Sequence, residues 1–135
     1  MTEREKPMAT SHVCAVQKIL VIDDEPSICL TFKHLLEEEG YRVQVADNGI
    51  SGMKIVREWN PDMVITDLMM PEQDGFHTIR EIRKSNSCMP IIAMSALANP
   101  ADVEDSMKAG ALCYVSKPVD IATLLKIIEN MSPSG

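Results

Sequence analysis

KILVIDDEPSICLTFKHLLEEEG, residues 18–40, contains a whole strand-to-helix unit. After Lys18 the first run is entirely aliphatic, Ile19, Leu20, Val21 and Ile22, with no polar alternation. That is the composition of a strand covered on both faces. Three acids follow at once, Asp23, Asp24 and Glu25, and then Pro26, whose fixed φ and missing N–H suit the first turn of a helix. Ile28, Phe32, Leu35 and Leu36 fall on one face of that helix, and Gly40 stands just past its end.

The same alternation extends outward along the chain. RVQVA (42–46), DMVIT (62–66), PIIAM (90–94) and ALCYV (111–115) are the other strand candidates. A second helix is expected from about Ile50 to Trp59, where Gly52 costs about 1 kcal/mol relative to Ala. A third carries Phe76, Ile79 and Ile82 after an Asp74-Gly75 turn. The fourth and most polar lies between Pro100 and Ala109 and is ended by Gly110. The fifth begins near Asp120 and buries Ile121, Leu124, Leu125 and Ile128. Strand and helix alternating in this way imply parallel strands, right-handed crossovers and helices on both faces, so the fold class is doubly wound α/β.

With 135 residues, 45% of them hydrophobic, the chain can build one well-buried core. Residues 1–17 are polar and mixed in charge and read as a flexible leader, with His12 and Cys14 as bystanders. Residues 18–131 form the domain and 132–135 a tail, and no output domain is expected to follow. A formal charge of −7 repels phosphate backbones, which argues against direct nucleic-acid binding. No apolar run approaches membrane-spanning length and the first residues lack a secretory layout, so a cytoplasmic location is expected. Cys14, Cys29, Cys88 and Cys113 show neither a CxxC pair nor a metal-ligand rhythm, which favours reduced thiols.

In a doubly wound sheet, ligands bind beyond the carboxyl ends of the strands. Asp23, Asp24 and Glu25 follow the first strand, Asp67 the third, Ser95 the fourth, and Lys117 and Pro118 the fifth. An acid after a strand is often only a helix cap, and a lone lysine only a solvated charge. Together, however, several carboxylates in one crevice repel each other unless a cation joins them. A hard divalent ion with oxygen ligands suits them, Mg²⁺ first and Mn²⁺ as an acceptable alternative. Lys117 adds a fixed positive charge, and Ser95 a small hydroxyl donor. These parts suit phosphoryl transfer onto a carboxylate, without specifying which aspartate is the nucleophile.

The ordered motifs IDDEP, ITDLMMPEQDG, MSA and AGALCYVSKP resemble the receiver domain of bacterial two-component response regulators over about residues 18–131. The resemblance implies a flavodoxin-like sheet in strand order 2-1-3-4-5. It makes Asp67 the phosphoacceptor, Asp24 and the backbone carbonyl of Met69 metal ligands, and Asp23 a ligand through water. Lys117 would pair with the aspartyl-phosphate, Ser95 would bond one of its oxygens, and the Lys117-Pro118 peptide would be cis. Tyr114 matches the family's switch aromatic. A sensor histidine kinase or histidine phosphotransfer protein would donate the phosphoryl group. The face of helix four, strand five and helix five would carry the target or a phosphorylation-dependent dimer. Ala96 leaves the route to Asp67 open, and Met69 and Leu97 flank it with apolar surface that shields the phosphate from water.

Two other chemistries fit less well. A phosphatase with an aspartate nucleophile expects a second acid two positions on, where Met69 stands, and a flavodoxin-like cofactor binder needs a phosphate-cradling loop where DDEP would repel the phosphate. A receiver-shaped interaction module that takes no phosphate is the remaining alternative.

Overall fold

The computed structural model describes residues 16–69, 75–96 and 99–131. Five strands alternate with five helices: β1 (Lys18–Ile22), α1 (Pro26–Glu38), β2 (Arg42–Ala46), α2 (Gly49–Trp59), β3 (Met63–Asp67), α3 (Gly75–Ser85), β4 (Ile91–Ser95), α4 (Pro100–Ala109), β5 (Cys113–Ser116) and α5 (Ile121–Met131). All strand pairs are parallel, in the order β2-β1-β3-β4-β5. Chain order therefore reverses direction across the sheet between β1 and β3.

Alternate residues of the central strands supply two separate cores. Leu20, Ile22, Val64, Ile91 and Ala93 pack with Val56 of α2 and Ile79 and Ile82 of α3. Ile19, Val21, Ile65, Ile92 and Met94 pack on the other face with Phe32 and Leu36 of α1 and Leu124 and Ile128 of α5. Burial on both faces is why these strands carry unbroken aliphatic runs.

Several boundaries and faces differ from the sequence expectation. β3 extends to Asp67, which pairs in register with Met94. β5 begins only at Cys113, because the Ala111 N–H turns back to the Ser106 carbonyl at 3.0 Å and closes α4. On α1 the fully covered residues are Cys29, Phe32 and Leu36, whereas Ile28 and Leu35 are half-buried. The Cys29 thiol donates to the Asp23 carbonyl at 3.2 Å. Gly52 has a packing reason: a Cβ there would lie 2.5 Å from Ile22 Cδ1, so the Ile22 side chain would have to shift to admit one.

The N-terminal edge is tied down from Val16, which is buried in the second core. The N–H groups of Gln17 and Lys18 both donate to Asp62 Oδ2, each at 2.9 Å. The remainder of the expected leader, with His12 and Cys14, and the tail 132–135 lie outside the described residues, as do Asp74 and Leu97.

Candidate functional site

The backbone ladder continues past the strand ends and fixes the residues that follow them. Asp23 N–H donates to the Ala46 carbonyl at 3.0 Å, Leu68 N–H to the Met94 carbonyl at 2.9 Å, and Lys117 N–H to the Ser95 carbonyl at 2.9 Å. The Lys117-Pro118 peptide is cis. Asp23, Asp24, Asp67, Ser95 and Lys117 thus stand together at the carboxyl ends of β1, β3, β4 and β5, strands that neighbour each other in that order.

Asp23 and Asp67 are both buried, and the Lys117 ammonium lies between them, 2.8 Å from Asp23 Oδ2 and 3.1 Å from Asp67 Oδ2. A third acid, Glu25, reaches the same ammonium at 3.6 Å from the solvent side. The other oxygen of each buried acid takes a backbone donor: Glu25 N–H meets Asp23 Oδ1 at 2.9 Å, and Met69 N–H meets Asp67 Oδ1 at 3.2 Å.

Burial raises the Asp67 carboxyl above the usual carboxylate range, and nearby Asp23 adds to this, while the Met69 N–H and Lys117 pull the other way. Lys117 is held above the ordinary lysine value. Its burial works against the charge, but Asp23 and Asp67 together outweigh that cost. The Cys29 thiol beneath Asp23 is pushed up to about 11 by burial and the neighbouring acid, so it remains protonated at neutral pH.

Among the described residues, one carboxylate oxygen each from Asp23, Asp24 and Asp67 come within 4.8 Å of one another. Asp23 Oδ2 is wholly buried, with the Lys117 ammonium 2.8 Å away on one side. A buried anionic oxygen with unused acceptor capacity, beside two more carboxylates, is the donor set of a hard divalent cation. The residues present fit such an ion.

Ser95 is fully buried, and its carbonyl accepts the Tyr114 hydroxyl at 3.4 Å. Tyr114 itself packs, half-buried, against the first core. The side chain expected to act as an aromatic switch therefore touches the strand end that carries Ser95. Met69 is 49% exposed at the mouth of the site. Ala96 is also exposed.

Gly75 was not singled out by residue chemistry, yet it is set against Asp67. Its N–H donates to the Leu68 carbonyl at 3.0 Å, and a Cβ on it would run into the Asp67 carbonyl oxygen and the Leu68 backbone. In the sequence it stands out only as part of the Asp74-Gly75 turn and of the ITDLMMPEQDG run. Gly75→Ala is expected to displace the backbone at Asp67, destabilise the fold by about 1–3 kcal/mol as overpacking does, and weaken divalent-ion binding. Urea unfolding together with magnesium titration checks both effects.

The sequence model for the response regulator receiver domain matches residues 19–129. PilH of Pseudomonas aeruginosa is 35% identical over 114 residues, which cover 83% of this chain and 94% of PilH. Transcriptional regulatory protein ZraR of Klebsiella oxytoca is 40% identical over 106 residues, 78% of this chain but only 24% of ZraR. The chain thus spans about a quarter of the length of the ZraR proteins it matches. Among solved structures, chemotaxis protein CheY4 of Vibrio cholerae superposes with a TM-score of 0.82 at 28% identity, over 87% of this chain and 99% of that one. A receiver domain protein from Clostridium thermocellum superposes with a TM-score of 0.80 at 37% identity, over 86% and 94% of the two chains.

Proposed function

The chain belongs to the response regulator receiver domain family, and from that premise we propose that Asp67 accepts a phosphoryl group from a sensor histidine kinase or histidine phosphotransfer protein. The observation that carries this reading is the setting of Asp67 at the end of β3. It is buried and held between the Met69 N–H and the Lys117 ammonium, with Asp23 and Asp24 oxygens within 4.8 Å.

In the transfer, an Asp67 carboxylate oxygen attacks phosphorus. The bond from phosphorus to the donor's histidine nitrogen breaks, and the electron pair leaves with the imidazole. Water later attacks the aspartyl-phosphate, releasing inorganic phosphate and restoring the carboxylate. Asp23, Asp24, Asp67 and the Met69 carbonyl would hold Mg²⁺, with Mn²⁺ an acceptable substitute. When bound, the ion supplies positive charge that offsets the charge on the transferring oxygens. Lys117 holds one phosphoryl oxygen, and the Ser95 hydroxyl turns to another. The chain acts as a switch on itself rather than as an enzyme on a separate substrate.

The added charge, close to two units, has to be met by Ser95 and Lys117. Movement of Ser95 reaches Tyr114 through their shared contact and then the face of α4, β5 and α5. That face would bind a protein target or a second copy, as a monomer or phosphorylation-dependent dimer, in the cytoplasm. Among the described residues, no helix is long and apolar enough to cross a membrane.

Beryllofluoride with Mg²⁺, followed by amide NMR, tests the switch. Shifts gathered at Asp67, Ser95, Tyr114 and α4 are expected, and shifts confined to the acid cluster would rule out transmission. Exposed Met69 also shields the phosphate, so Met69→Asn is expected to speed autodephosphorylation severalfold. An unchanged or slower rate would remove that role.

A further inference from the structure

Glu25 stands at the N-cap of α1, where a shorter Asp, Asn, Ser or Thr side chain would bond the first N–H groups of the helix. Here it makes no such bond. Its Oε1 lies instead 3.6 Å from Lys117 Nζ, although the side chain is 57% exposed.

An ammonium group has three N–H donors. Among the described residues, three carboxylates surround Lys117: Asp23 at 2.8 Å, Asp67 at 3.1 Å and Glu25 at 3.6 Å. The first two are sealed from solvent and fixed by backbone donors. Glu25 alone can swing into water at little cost, because an exposed ion pair contributes little to stability.

Building on the assignment of Asp67 as phosphoacceptor, we propose that Glu25 is a placeholder for the phosphoryl group. It pairs with Lys117 in the unphosphorylated protein, gives way when a phosphoryl oxygen arrives, and sets the rate at which small anionic donors react. The transfer is the one written above, and Glu25 neither forms a bond nor moves a proton. Its charge stands at the open side of the site, so it opposes a dianionic donor more than a less charged one. A donor delivered by a protein partner, whose contacts supply binding energy of their own, is least affected. Glu25 is therefore a specificity-determining residue that holds back stray phosphorylation by metabolite phosphates.

The test is the initial rate of Asp67 phosphorylation in the full chain at saturating Mg²⁺, with acetyl phosphate and with the less negatively charged phosphoramidate. Glu25→Gln is expected to react roughly two- to fivefold faster with acetyl phosphate. The gain should be smaller with phosphoramidate and should shrink with added salt. A thermal midpoint close to wild type would show that the fold is intact. A Glu25→Gln rate no faster than wild type overturns the placeholder, as does a gain that is equal for both donors and indifferent to salt. Wild-type protein that takes up no phosphoryl group would instead sink the assignment of Asp67 itself, so the two failures are distinguishable.

Discussion

Asp67→Asn is expected to abolish phosphoryl uptake from acetyl phosphate and, at the same time, to raise the thermal midpoint of the metal-free protein at neutral pH. The first effect follows from chemistry, since an amide in place of the carboxylate leaves no anionic oxygen to attack phosphorus. The second follows from burial. The Asp67 carboxyl is raised in the folded protein, so the fold binds that proton more tightly than the unfolded chain does. Ionisation therefore costs stability. The cost begins as pH rises through the unfolded value, about 3.9 for an aspartate, and is complete above the folded value. The advantage of the Asn variant should be present at pH 7 and fade on acidification below about pH 4. Lys117 still has Asp23 at 2.8 Å in that variant, so its charge remains paired. A midpoint at pH 7 lower than wild type would contradict this electrostatic picture even if uptake were lost.

Lys117→Met should have the opposite effect on stability. The Lys117 side chain is only 12% exposed and is the cation between two buried acids. Removing one partner of a buried ionic group typically costs about 3–5 kcal/mol, because the remaining charges are left uncompensated. The urea midpoint in metal-free buffer is therefore expected to fall sharply. Millimolar Mg²⁺ should recover part of the loss, since a second cation then faces the same carboxylates. A small loss that does not respond to Mg²⁺ would mean that Asp23 and Asp67 are already protonated or apart in solution. Phosphoryl uptake in this variant should be slow, and the amide shifts at α4 weak.

Much of the fold was legible because strands covered on both faces need aliphatic runs, and β1, β3 and β4 have them. The placement of the candidate residues was legible for a related reason: a doubly wound sheet offers polar side chains to a ligand where its strands end, and Asp23, Asp67, Ser95 and Lys117 occupy those ends. Pairwise geometry was not. Nothing in the local pattern shows that Glu25 reaches Lys117, or that Gly75 lies against the Asp67 backbone, since both depend on separate segments meeting in space. The start of β5 was misplaced because Ala111 is equally suited to a strand and to a helix end, and its hydrogen bond to Ser106 decides for the latter. On α1, choosing the most apolar face put Leu35 ahead of Cys29, although it is Cys29 that the helix buries.

The most direct measurement is the mass of the intact wild-type chain after incubation with acetyl phosphate, in Mg²⁺ and in EDTA, followed by peptide mapping of any adduct. One added phosphoryl group, formed only with Mg²⁺ and mapped to Asp67, is the expected result. No adduct under either condition, with acetyl phosphate or a histidine-phosphorylated donor, would contradict it, as would an adduct at another residue.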